Sequence, residues 1–90
     1  MYILTVHGKE REGAYSVQDE SGQHVLYLFA NIDDASRYAL QLEDMDYPDM
    51  NVVEVEDDAI IKTCQLHGYS YTVITSNDIV IPPTGEHDFI

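Results

Sequence analysis

The chain has 90 residues, 44% of them hydrophobic and 10% aromatic, with 17 acids against four bases and a formal charge of −13 at pH 7. That length holds one domain with a single thin core, and that charge excludes a groove for nucleic-acid phosphates or attraction to an anionic membrane surface. The one cysteine, Cys64, excludes an internal disulfide, and no apolar run approaches the roughly 18 residues of a membrane span.

The opening segment MYILTVHGKER has neither the layout of a secretory signal nor the Arg/Ser-rich character of a transit peptide, so the chain is expected to fold where it is made. Residues 2–7 are β-branched and aromatic and predict a strand buried on both faces. A charged loop from Gly8 to Gly13 follows, holding Lys9 and Arg11. Residues 14–18 and 24–29 predict two more strands. Between them Asp19-Glu20-Ser21-Gly22 is a turn with Gly22 at positive φ, so the pair forms a hairpin in which Tyr15 and Tyr27 are cross-strand neighbours.

Asn31 is the residue type of an N-cap, and Asp33 and Asp34 follow where carboxylates complement a helix dipole. Ala35, Tyr38, Ala39 and Leu42 then recur at helical spacing, and the helix is expected to end near Asp44 or Met45. The two alanines let it sit close to a sheet, while Pro48 biases Tyr47 toward an extended form. Residues 51–56 predict a fourth strand. Asp57 or Asp58 caps a second helix with Ile60, Ile61 and Cys64 on its apolar face and Gly68 just past its end. Residues 71–75 predict a fifth strand, Ser76-Asn77-Asp78 a turn, and 79–81 a short edge strand stopped by Pro82-Pro83. Residues 84–90 read as a flexible tail.

The order β-β-β-α-β-α-β-β predicts an α+β fold in one domain over residues 1–83. The expected architecture is a single, mostly antiparallel sheet of about five strands with both helices on one face. A right-handed crossover from the third strand to the fourth makes it a ferredoxin-like variant with an added N-terminal strand.

Several stretches together carry a family resemblance: EGAYSV (12–17), LYLFANIDDASRYALQLE (26–43), MDYPDMNVVEVE (45–56), IIKTCQLHGYSYTVI (60–74) and the late Ile-Pro-Pro (81–83). The chain resembles a family of small acidic proteins of unknown function found in cyanobacteria and plastid-bearing plants. The tail, Asp88-Phe89-Ile90, departs in detail from the aromatic-ended acidic tails of that family. The resemblance implies a photosynthetic organism or one of its phages and a cytoplasmic or stromal setting. It implies no activity, cofactor or substrate.

The densest chemistry is acidic. Glu43, Asp44, Asp46, Asp49, Glu54, Glu56, Asp57 and Asp58 fall within sixteen residues with no base among them. Glu43, Asp44 and Asp46 sit at or just past a predicted helix C-terminus, where negative charge opposes the dipole. The run lacks the spacing of an EF-hand loop. Cys64 and His67 are three apart on the second helix, but Cys64 is in register with Ile60 and Ile61, as a buried thiol is. His7, His24, His67 and His87 form no ligand pair of metal-site spacing, although His7 and His24 fall on neighbouring strands. Tyrosine occurs seven times, and Tyr47 beside Pro48 in the acidic bend is expected to be an exposed interface anchor.

These features point to a non-enzymatic interaction or regulatory module without cofactor or metal. Its partner-binding residues are Glu43, Asp44, Asp46, Tyr47, Asp49, Glu54 and Glu56, and its partner is a basic protein surface rather than nucleic acid or membrane. Two other classes stand beside this: a nucleic-acid mimic that occupies the groove of a DNA- or RNA-binding protein, and a small-ligand protein, which needs a concave apolar pocket. The sequence is silent on oligomeric state.

Overall fold

The computed structural model describes residues 1–9 and 13–78, with 87–89 as backbone. Among the described residues six strands and two helices follow in the order β1 (Tyr2–Val6), β2 (Tyr15–Gln18), β3 (His24–Phe29), α1 (Ile32–Asp44), β4 (Met50–Glu54), α2 (Asp57–His67), β5 (Ser70–Ile74) and β6 (His87–Phe89). The fold is α+β, one open sheet with two helices, as the sequence predicts. The expected strand 79–81, Pro82-Pro83 and residues 84–86 and 90 lie outside the described residues. At His87–Phe89, within the segment read from sequence as a tail, the backbone pairs antiparallel with β2.

The sheet runs β4-β1-β3-β2-β6, with β5 joined to β3. β5 lies parallel to β3 along one edge from Val25 to Phe29. A strand has only two edges, so β2, at Ser16↔Leu26 to Gln18↔His24, and β1, at Tyr2↔Phe29, share the other. Thr5 and Ala14 bridge where those two strands part. The β2–β3 hairpin closes through Asp19, whose Oδ1 accepts N–H bonds from Ser21 and Gln23 at 2.9 Å and the Ser21 hydroxyl at 2.7 Å, with Gly22 at φ 82°. The Ser21 hydroxyl, then these amides, hold the Asp19 carboxyl below its ordinary range.

Strand alternation divides the apolar side chains between two faces. Leu4, Tyr15, Phe29 and Ile74 form one core with Ala35, Tyr38, Ala39 and Leu42 of α1. Ile3, Ala14, Leu26 and Leu28 form another with Cys64, and Val53, Ile60 and Tyr69 pack against it. The helices therefore cover opposite faces, which corrects the expectation that both lie on one. The reason is topological. β1 is antiparallel to both β3 and β4, and β5 is parallel to β3, so β3, β4 and β5 run the same way. Helix α1 carries the chain from β3 past β1 to β4, and α2 returns it to the far side of β3. Crossovers of one hand that travel in opposite directions must use opposite faces. A ferredoxin-like plan places a reversing strand between its helices; here β4 enters α2 through Val55 and Glu56 alone.

Aromatic rings fill the core under α1. The Tyr38 ring lies 5.5 Å from Tyr15, 5.5 Å from Phe29 and 5.7 Å from Tyr27, and the Tyr15 and Tyr38 hydroxyls share a 3.0 Å hydrogen bond. Tyr15 and Tyr27 are cross-strand neighbours as expected, with centroids 6.2 Å apart. Asn31 holds the N-cap position of α1, but its amide donates to the Ser76 hydroxyl at 3.4 Å instead of capping the helix. Glu56, not Asp57 or Asp58, is the N-cap of α2, and both aspartates fall in the first turn.

Candidate functional site

The acidic run is divided by β4. Glu43 and Asp44 end α1, Asp46 and Asp49 lie in the connection to β4, and Glu54 and Glu56 follow at the other end of the strand. At about 3.4 Å per residue, Asp49 and Glu54 stand about 17 Å apart along the chain. The structure thus brings Glu43, Asp44, Asp46 and Asp49 to one end of β4 and Glu54 and Glu56 to the other. All six are exposed. Asp57 and Asp58, absent from the predicted set, line an open hollow with Glu54, Glu56 and Met1. The signal for including them was the stretch Glu54-Val55-Glu56-Asp57-Asp58, four acids in five residues. The Met1 ammonium donates to Asp57 Oδ1 at 2.7 Å and to the Val55 carbonyl at 3.0 Å. Among the described residues the other ion pair is Arg37–Asp34 at 3.3 Å, on α1.

Tyr47 is not the exposed anchor expected of it. It is half-buried and packs against the core under α1. The cause is a helix-ending motif. The Tyr47 N–H donates to the Leu42 carbonyl at 3.1 Å and the Asp46 N–H to Glu43 at 3.0 Å, with Asp46 at φ 65°. This is the Schellman arrangement, in which the residue after the left-handed position packs back on the helix. Helix α2 ends the same way: Tyr69 N–H bonds the Cys64 carbonyl at 2.9 Å, and Gly68 takes φ 70°. One helix thus places Gly at the left-handed position and the other an aspartate, which carries both backbone strain and a charge opposed to the dipole. Asp46→Gly is expected to stabilise the fold by about 0.5–1 kcal/mol. Asp46→Asn, which removes only the charge, should give part of that gain. Urea denaturation of the three proteins checks this, and a destabilised Gly variant would contradict the strain.

The remaining candidate groups do not converge. Cys64 is 1% exposed and burial pushes its thiol up, the reverse of an activated nucleophile. His67 stacks on Tyr69, ring centroids 5.6 Å apart. His7 Nδ1 lies 3.0 Å from Asn51 Oδ1 and His24 Nδ1 3.5 Å from Ser16 Oγ, so those two histidines serve separate places on the sheet. Among the described residues no three His, Cys, Asp or Glu side chains gather as metal ligands would, and no helix is long and apolar enough to cross a membrane.

A family model described as a domain of unknown function (DUF3110) matches residues 1–84. The chain belongs to this family. No curated protein and no solved structure shows significant similarity to it. The DUF3110 match spans the strands β1 to β5 and both helices, and so includes both acidic ends of β4.

Proposed function

We propose that this DUF3110 chain is a non-enzymatic interaction or regulatory module that presents the acidic ends of β4 to a basic protein surface. The setting that goes with this reading is the cytoplasm or plastid stroma of a photosynthetic organism, or of a host infected by its phage. The observation that carries it is the placement of Glu43, Asp44 and Asp46. They stand at the carboxyl end of α1, where negative charge costs stability, and no base lies between residues 43 and 58 to offset them. Charge kept where it weakens the fold is charge available to a partner.

Opposite charges across an interface set association rate and specificity and are screened by salt, with a Debye length of about 10 Å at 0.1 M. The test is the triple reversal Asp44→Lys, Asp46→Lys and Asp49→Lys. Partners recovered from a photosynthetic host at low salt are expected to dissociate at high salt and to lose at least tenfold in affinity for the reversed protein. Equal recovery by both proteins at both salts sinks the reading.

A further inference from the structure

We infer that β4 is an acceptor strand: a basic, extended segment of a partner protein adds to its open edge as a further strand of the sheet. This rests on the acidic-surface reading and specifies how the partner is held.

The argument begins with hydrogen-bond phase. Met1 and Val55 exchange both bonds, Met1 N to Val55 O at 3.0 Å and Val55 N to Met1 O at 2.8 Å, and at the other end His7 N bonds Asp49 O at 2.9 Å. Five consecutive pairs, Tyr2↔Glu54 to Val6↔Met50, connect these ends without a bulge. Antiparallel pairs alternate between hydrogen-bonded and open, so Ile3↔Val53 and Thr5↔Asn51 face each other. Met50, Val52 and Glu54 consequently turn their N–H and C=O groups away from β1. Among the described residues β1 is the one strand paired with β4.

An open row of backbone groups is a template for another chain. Natural edges are commonly blunted by proline, a bulge or a charge along the strand. The MNVV stretch of β4 has none of these, and its charges stand at the two ends.

Charge then selects the occupant. If a second copy paired antiparallel about Val52, the Asp46–Asp49 end would meet the Glu54–Asp58 end; paired parallel, each acidic end would meet its own copy. Like charges opposed across strands are destabilising, so self-pairing is disfavoured in both directions. A segment with Lys or Arg at each end meets acids in either direction. General edge protection does not account for the pattern, because β5, which exposes Tyr71 and Val73, has no charged residue between Ser70 and Ile74. The occupant is thus a stretch of about five residues in β conformation, basic at both ends, with apolar side chains at alternate positions beside Met50 and Val52.

The test uses the full chain and a synthetic peptide, Lys-Arg-Val-Thr-Val-Thr-Arg-Lys, beside an analogue N-methylated at alternate residues. Methylation removes backbone donors and leaves the charges. The expected result is saturable binding, exchange protection of more than tenfold at the Met50, Val52 and Glu54 amides, and at least tenfold weaker binding of the analogue. Val52→Pro, which removes one outward donor, should weaken the unmodified peptide similarly while keeping the native far-UV spectrum. If both peptides bind equally and the Asp44/Asp46/Asp49 reversal abolishes both, strand addition is wrong and the acidic-surface reading stands. If neither binds, or the reversal changes nothing, both fall. Protection at β5 in place of β4, or self-association abolished by Val52→Pro, also overturns the proposal.

Discussion

Replacing Tyr38 with alanine is expected to lower the free energy of unfolding by about 3–5 kcal/mol, against a total of about 5–13 kcal/mol for a chain of this length. Tyr38 is 2% exposed and its ring touches Tyr15, Tyr27 and Phe29, so truncation opens a void between α1 and the sheet. Tyr38→Phe keeps the ring and removes one partner of the 3.0 Å bond to Tyr15; its expected cost is about 1 kcal/mol. The pair also predicts alkaline sensitivity. Burial, the largest cause, pushes both phenols well above the ordinary 10.0. Below pH 10 folded and unfolded chains hold these protons alike, so this contribution to stability is fully present. Above it the unfolded chain releases them first, so stability falls as pH rises toward the folded-state values. Urea melts at rising pH should show this loss, with a shallower slope for Tyr38→Phe. Tyr15 and Tyr38 ionising near the ordinary phenol pKa while the fold persists would contradict the buried pair.

What was legible in the sequence was local. His24–Phe29 and Ile32–Asp44 emerge with the bounds the sequence predicts, because β3 is apolar on both faces, α1 is apolar on one, and Asp19, Gly22 and Asn31 lie where the backbone must turn. Cys64 is buried because it shares a helix face with Ile60. What was not legible depends on distant pairing. The face taken by α2 follows from β5 landing parallel to β3 across more than forty residues of chain, and nothing near Asp57 or Gly68 encodes that. The strand at His87–Phe89 exists by virtue of the edge offered by β2. Nor does sequence spacing show that β4 splits one acidic run into two ends, or that Tyr47 turns inward at a left-handed aspartate. An αL position is read from a glycine, and Asp46 supplies none. The hydrogen-bond phase of β4, which decides what its edge offers, depends on its register with β1 and so appears only in the folded chain.

That phase makes the most discriminating stability comparison two neighbouring valines. Val53→Pro is expected to cost about 3 kcal/mol or more, because the Val53 N–H is directed at Ile3 and the imino ring both removes that bond and crowds the pairing with β1. Val52→Pro, one residue earlier, removes a donor directed outward; proline is tolerated at such positions on edge strands. It loses part of the Val52 packing against the α1 core, so its expected cost is about 1–2 kcal/mol. Urea midpoints at unchanged m-value give the comparison directly. The order of the two costs is the informative result. A one-residue slip of β4 against β1 would exchange the inward and outward groups and reverse it. A slip would also carry Val52 away from α1 and Val53 away from Cys64, exposing on each face what the other now buries. If Val52→Pro proves the more damaging, the register is wrong, and with it the open edge at Met50, Val52 and Glu54. If Val53→Pro does, those three residues present their backbone to whatever basic chain the acidic ends of β4 attract.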